Sequence, residues 1–235
     1  MFESAEGIVN QCALARLTAG RVISRLLAQT LFPPRCCLCS FPGESLDLDL
    51  CTYCRAALPW NAEHGEPYFV AMRFEQPADE LIRRLKYHGI VANARVLGVL
   101  LAQAVEEACM PLPRLLVPVP LHPAKLRERG FNQAAALAGF AGAMLGISSV
   151  HSVVRRMRNT PSQTALDVSQ RQINVRGAFA VGSARHSRML LDAEHVAIVD
   201  DVITTGSTVN ELRRVLLAAG VRKVDVWAVA RAMPR

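Results

Sequence analysis

The sequence predicts an α/β fold: a parallel sheet flanked by helices, with a small four-cysteine module near its amino end. Three observations carry the prediction. From residue 115 onward short apolar strands alternate with helical periodicity, an order that implies parallel strands joined by right-handed crossovers. The run His195-Val-Ala-Ile-Val-Asp-Asp-Val-Ile-Thr-Thr-Gly-Ser-Thr-Val209 passes from an apolar strand through two carboxylates into a hydroxyl-rich turn that opens a helix. Two C-x-x-C pairs, Cys36 with Cys39 and Cys51 with Cys54, flank the segment Ser40 to Leu50.

In chain order, residues 8–31 show apolar positions at helical spacing with Arg16, Arg21 and Arg25 between them, and Phe32-Pro33-Pro34 ends the pattern. The cysteine module follows, with Leu46, Leu48 and Leu50 alternating with Asp47 and Asp49 as a short ribbon does. Leu58 to Glu66 is polar and irregular, bounded by Pro59, Gly65 and Pro67, and reads as a linker. Helices are expected over 78–88 and 92–109. Strand 115–119, helix 132–145, strand 196–199, helix 208–219 and strand 224–230 complete the chain. The expected units are a helical segment 1–30, a zinc-ribbon module 31–62 and a main domain 68–235.

The chain has 235 residues, of which 51% are hydrophobic and 20% charged, enough apolar material for a core and too much for global disorder. Lys plus Arg is 27 against 20 acidic residues, a net charge of +7 that favours anionic partners without identifying one. No apolar run reaches the ~18 residues of a membrane-spanning helix. Glu3 and Glu6 stand where an export signal would carry positive charge, so a cytoplasmic protein with no membrane span is expected.

Without an export signal, the paired cysteines read poorly as a disulfide scaffold. Two knuckles supplying two thiolates each make the tetrahedral sulfur shell that Zn2+ prefers, so Cys36, Cys39, Cys51 and Cys54 are candidate ligands of a structural zinc. A redox dithiol and unliganded thiols are the alternatives. Arg35 and Arg55 would offset the thiolate charge; Cys37 could compete as a ligand, and Cys12 and Cys109 read as ordinary buried residues.

Beyond the strand that ends near Val199, Thr204, Thr205, Gly206, Ser207 and Thr208 can direct backbone N–H groups and four hydroxyls at one anion, with the dipole of the next helix behind them. Ligands of open parallel sheets bind at this end of the strands. An ordinary N-capped helix would need one hydroxyl, not this run. Asp200 and Asp201 beside the cradle suit the vicinal hydroxyls of a ribose 5-phosphate, directly or through Mg2+. Neither a Walker loop nor a G-x-G-x-x-G dinucleotide motif occurs.

These residues resemble the signature of the type I phosphoribosyltransferases: an apolar strand, two acids, two apolar residues, then Thr-Thr-Gly-x-Thr. Leu85-Lys86-Tyr87-His88-Gly89, Val117-Pro118-Val119-Pro120 leading to Arg129-Gly130-Phe131-Asn132-Gln133, and Arg156-x-Arg158-x-Thr160-x-x-Gln163 with Arg171-x-x-Asn174 are similar to the ComF (competence protein F, or GntX) family. The resemblance spans about Leu31 to Ala230. It implies a type I phosphoribosyltransferase-like sheet with an amino-terminal zinc ribbon, and phosphoribosyl pyrophosphate or a related nucleotide, with Mg2+, as ligand. Asp200 and Asp201 become the ribose-contacting, catalytic acids and Thr204 to Thr208 the 5-phosphate loop. The turn holding Lys125, Arg127, Arg129 and Gly130 takes the place of the pyrophosphate loop, for which guanidinium forks and exposed N–H groups are suited; a solvated basic turn is the plainer reading. Arg156, Arg158, Thr160 and Gln163 fall where the superfamily has a mobile loop that closes over the sugar. Lys86 is either a phosphate ligand or a cation capping a helix end.

Transfer from phosphoribosyl pyrophosphate is the enzymatic expectation, with no acceptor pocket legible. The family name implies DNA uptake in natural competence. The alternative reading is therefore a non-catalytic accessory protein that holds single-stranded DNA, using the ribbon and the basic groups Arg83-Arg84-Lys86, Arg127-Arg129 and Arg155-Arg156-Arg158, with competence-machinery proteins as further partners.

Overall fold

The computed structural model describes residues 35–43, 48–61, 65–88, 91–159 and 175–232. The expected helix over 8–31, Cys12, and the loop residues Thr160, Gln163, Arg171 and Asn174 lie outside the described residues. In order, the elements are α1 (Thr52–Ala56), β1 (Tyr68–Arg73), α2 (Ala78–His88), α3 (Val91–Glu107), β2 (Leu115–Pro118), α4 (Pro123–Arg129) and α5 (Gln133–Leu145). They continue with β3 (Ser148–Ser149), β4 (Val154–Arg156), β5 (Phe179–Val181), α6 (Ala184–Ala193), β6 (His195–Ile203), α7 (Ser207–Ala218) and β7 (Lys223–Arg231).

Five strands form one sheet in the order β1-β7-β6-β2-β3, and every neighbouring pair is parallel. Successive strand residues point to opposite faces, and helices cover both, so the central strands are apolar without interruption. On one face Phe69, Ala71, Leu116, Val199 and Trp227 pack with Leu81, Leu85, Leu97 and Leu101 of α2 and α3 and Leu137 of α5. On the other, Val70, Val117, Ile198, Val226 and Ala228 pack with Leu190 of α6 and Leu212 and Leu216 of α7. The cysteine module joins the first of these cores: Cys36, Leu48, Leu50, Cys51 and Leu58 are buried in it. The Leu48/Leu50 alternation directs both leucines inward while Asp49 turns to an ion pair with Arg95 of α3.

The structure departs from the sequence reading in several places. The strand expected to stop at Val199 continues to Ile203, because β7 offers a parallel partner all the way: Asp200 stands opposite Ala228 and Val202 opposite Ala230. Both acids are thus strand residues. The expected linker is partly ordered as an added edge, with Asn61 donating to the Ala71 carbonyl and Arg73 to that of Pro59. The basic turn is the short helix α4, which Pro123 starts and Gly130 ends at φ 80°. Strand β1, the antiparallel pair β4–β5 and helix α6 were not read from the sequence. For β1 the signal was present, an apolar run behind Pro67. Cys109 is exposed, not buried, because it follows the last turn of α3 with φ 50°. No helix of the described residues is long and apolar enough to cross a membrane.

Helices α3 and α5 cross at Gly98, where an added Cβ would lie 2.8 Å from Phe140 Cβ and 2.9 Å from the Leu137 carbonyl oxygen. Neither atom can swing aside as a side-chain tip can. Overpacking of about 1–3 kcal/mol outweighs the helix propensity alanine gains. Gly98→Ala is therefore expected to lower Tm by about 2–4 °C, the equivalent of ~1 kcal/mol net in a chain this size. Thermal denaturation checks it, and an unchanged Tm counts against so close a crossing.

Candidate functional site

Strand β6 delivers its acids to the carboxyl edge of the sheet, and the chain then turns through Thr204, Thr205 and Gly206 into α7. Gly206 adopts φ 77°, which favours glycine at this position, and an added Cβ would meet Asn210 Nδ2 and the Tyr68 hydroxyl, each at 3.4 Å. Tyr68 of β1 donates to Asn210 Oδ1 and props the turn from the side.

Asp200 lines one small cup, about 20 Å3 in volume, together with Thr204, Gly206, Ser207 and Thr208. The expected phosphate loop and one expected acid are thereby brought together. Thr205 is set apart: its hydroxyl bonds Ser207 Oγ at 2.8 Å and faces a larger cavity of about 780 Å3 that Arg176, Glu211 and Arg214 also line. There Glu211 accepts from the Gly177 N–H and from two guanidinium nitrogens of Arg214, which hold its carboxyl below the usual range. The segment after residue 174 is thereby pinned to α7.

Adjacent strand residues diverge, so the two acids acquire different partners. Asp201, 9% exposed, forms an ion pair with Lys86 Nζ at 3.1 Å from the end of α2. Asp200 also feels the Lys86 charge, and more weakly that of Arg156 on β4, whose guanidinium lies 5.5 Å from the centre of the Phe179 ring. Loss of hydration, with the Asp201 charge second, pushes the Asp200 carboxyl up to about 7, while Lys86 and Arg156 pull it down. Sequence reasoning placed Lys86 at a helix end and left it between two roles; the structure gives it the acid pair. Burying two neighbouring carboxylates demands a cation, and that was the available signal.

The remaining basic candidates scatter. Lys125, Arg127 and Arg129 ride on α4, where Lys125 pairs with Glu128 at 3.7 Å, instead of lining an open turn. Arg158 donates to the Arg176 carbonyl at 2.8 Å. Arg155 and Arg156 both line a cavity of about 510 Å3 beside Leu126 of α4, and Arg158 is exposed.

The sulfurs of Cys36, Cys39, Cys51 and Cys54 all lie within 4.8 Å of one another. Cys39 Sγ and Cys51 Sγ are 3.6 Å apart. That is near the ~3.8 Å edge of a tetrahedron with Zn–S bonds of about 2.3 Å, and far beyond a bonded S–S pair at about 2 Å. Burial opposes ionisation of Cys36, but N–H donors from Cys39, Cys51 and Leu38 outweigh it and bring the thiol down to about 6. Cys37 goes the other way: burial, with the Cys36 charge second, raises it to about 12, and it stands outside the cluster. Arg55 reaches Glu107 at 4.0 Å and Arg35 the Ser40 carbonyl at 3.3 Å.

The chain is 33% identical over 196 residues to Competence protein F of Haemophilus influenzae, an alignment covering 77% of this chain and 84% of the relative. It is 32% identical over 164 residues to the DNA utilization protein YhgH of Escherichia coli K12, covering 68% and 70%. It is 22% identical over 184 residues to Competence protein ComFC of Streptococcus pneumoniae, covering 78% and 77%. No family model matches. A purine phosphoribosyltransferase of Pyrococcus horikoshii aligns with 57% of this chain and 79% of its own at 15% identity and a TM-score of 0.33. TT1426 of Thermus thermophilus aligns with 60% and 84% at 18% identity and the same TM-score.

Because its folded pKa is raised, Asp200 favours the folded state most below its unfolded value near 3.8, and that contribution is lost as pH rises through about 7. Asp200→Asn removes the charge burial imposes. It is expected to raise Tm at pH 8 by at least about 2–4 °C, the equivalent of ~1 kcal/mol, and to change it little at pH 4. Melting curves across that pH range test this, and a lower Tm at pH 8 refutes it.

Proposed function

The chain belongs to the ComF family, and from that premise we propose that it binds phosphoribosyl pyrophosphate, or a related ribose 5-phosphate compound, in the service of DNA uptake and utilisation. The observation that carries this reading is the cup that Asp200 shares with Thr204, Gly206, Ser207 and Thr208 at the start of α7. A monophosphate held there gains backbone N–H donors, hydroxyls and the positive end of a helix dipole. The ribose then lies over Asp200, whose ionised carboxylate accepts from a sugar hydroxyl. Asp201 is the second acid, 3.1 Å from Lys86 Nζ.

The acid pair also offers the hard oxygen ligands that Mg2+ takes, and such an ion would offset the charge of a diphosphate leaving group. The residues' own part is to bind, orient and neutralise: Arg156 on β4 brings a guanidinium to the edge of the site, where a diphosphate would develop charge. Lys125, Arg127, Arg129 and Gly130 on and after α4, and Arg158 with Thr160 and Gln163, are the proposed diphosphate and closing elements. If the group is transferred, the enzyme is a phosphoribosyltransferase acting in the cytoplasm. The four cysteines fit a structural zinc by residue type and spacing.

A second reading has its own observation. Phe41 and Tyr53 on the cysteine module are 71% and 89% exposed, beside Arg35 and Arg55, as stacking platforms for single-stranded DNA are. Stacking is worth about 1–3 kcal/mol per base, so Tyr53→Ala is expected to weaken single-strand binding roughly 5- to 150-fold, with affinity falling steeply as salt rises. A flat salt response in fluorescence anisotropy removes this reading.

For the sugar-phosphate reading, titration calorimetry with Mg2+ and phosphoribosyl pyrophosphate is expected to show binding that Asp200→Asn/Asp201→Asn weakens more than about tenfold, since each lost charged hydrogen bond is worth about 1.5–3 kcal/mol. Affinity is expected to rise severalfold between pH 6 and pH 8 as Asp200 ionises through about 7. Unchanged affinity in the double variant overturns the reading. Elemental analysis is expected to find one zinc per chain, lost in Cys36→Ser.

A further inference from the structure

The end of α2 touches two sites at once. Arg84 Nη1 donates to the Cys37 carbonyl at 2.7 Å, and that carbonyl belongs to the knuckle between Cys36 and Cys39. Two residues on, Lys86 Nζ meets Asp201 Oδ2 at 3.1 Å. Leu85 between them is wholly buried and packs in the same core as Cys36, Leu50 and Cys51. Arg84 is also held by Glu80 one turn back, so its guanidinium is committed on both sides. Asp49 of the module is likewise fixed, by Arg95 on α3.

From this geometry we propose that the four-cysteine knuckle is a brace for the sugar site, with Arg84 as the positioning residue. A metal on the four thiolates fixes the backbone that carries the Cys37 carbonyl. The carbonyl holds Arg84, Arg84 holds the last turn of α2, and that turn sets Lys86 against Asp201. A lysine has four rotatable bonds, so a stable ion pair from a helix end depends on the helix end being still. Loss of the metal frees the knuckle and lets Lys86 drift, leaving two neighbouring carboxylates less compensated. The inference rests on the sugar-phosphate reading for its ligand, but not for the brace itself.

Binding linkage is reciprocal, so the two sites report on each other. Phosphoribosyl pyrophosphate with Mg2+ is the probe, and couplings of this kind typically amount to roughly 5- to 150-fold. Stripping the zinc with a chelator is expected to weaken the probe by at least about 5-fold, and Arg84→Ala to do the same with zinc still bound. In Lys86→Met, affinity is lower from the start and no longer depends on zinc. Conversely, the probe is expected to slow zinc release to a colorimetric chelator in the wild type and not in Arg84→Ala. Arg84→Lys, which keeps one donor, is expected to restore part of the coupling.

Hydrogen exchange gives a readout that needs no ligand. Zinc removal is expected to raise deuterium uptake in 84–88 and 199–203, with uptake in β7 unchanged. Equal affinity with and without zinc, or an Arg84→Ala protein that binds the probe as the wild type does, overturns the proposal. Failure of the wild type to bind the probe at all defeats the sugar-phosphate reading, and the exchange experiment then decides the brace alone: unchanged uptake in 84–88 ends it, and raised uptake sustains it.

Discussion

Two neighbouring carboxylates stand near the carboxyl end of a buried parallel strand, and the surrounding elements are arranged to tolerate them. An uncompensated charge there would neutralise or unfold the edge of the sheet. Lys86 arrives from α2 to meet Asp201, and its charge, with a weaker one from Arg156, also acts on Asp200. Compensation is incomplete, and Asp200 sits near neutrality as a result. A carboxyl held at that point costs the fold stability once it ionises. Perturbed titration of this kind gathers at functional sites because stability is given up there for binding.

The same constraint explains why the cysteine module is not a loose appendage. Its buried residues complete the core that α2 and α3 share with the sheet. Charged contacts then stitch it to both helices, Arg84 to the Cys37 carbonyl and Asp49 to Arg95. A small module with four thiols has too little apolar surface for a core of its own, and it uses the neighbour's. The helix so gripped is the one that carries Lys86 in its last turn.

The opposite face of the sheet supports the turn that enters α7. Tyr68 from β1 and Asn210 from α7 hold the turn at Gly206, and Glu211 ties the chain at Gly177 to the same helix. Thr205, expected among the phosphate-facing hydroxyls, instead bonds Ser207 and lines the neighbouring cavity. A run of four hydroxyls in sequence is therefore not a ring of four in space, since a turn entering a helix rotates successive side chains through large angles.

Local chemistry was legible from the chain alone. Helix 78–88, the apolar strands, the C-x-x-C pairs and the acid-then-hydroxyl run each depend on neighbours within a few residues, and the structure contains them. The boundaries of β6, the helix at 123–129 and the existence of β1 as an edge strand depended on which segments found partners, as Asp200 did opposite Ala228. The sequence by itself determined the alternating elements, the two C-x-x-C pairs and the succession of apolar run, acid pair and hydroxyl-rich turn, because periodicity and spacing encode them. Only the tertiary structure decided that Lys86 meets Asp201 and that Arg84 of the same helix meets the knuckle, because charge compensation acts through space between residues far apart in the chain.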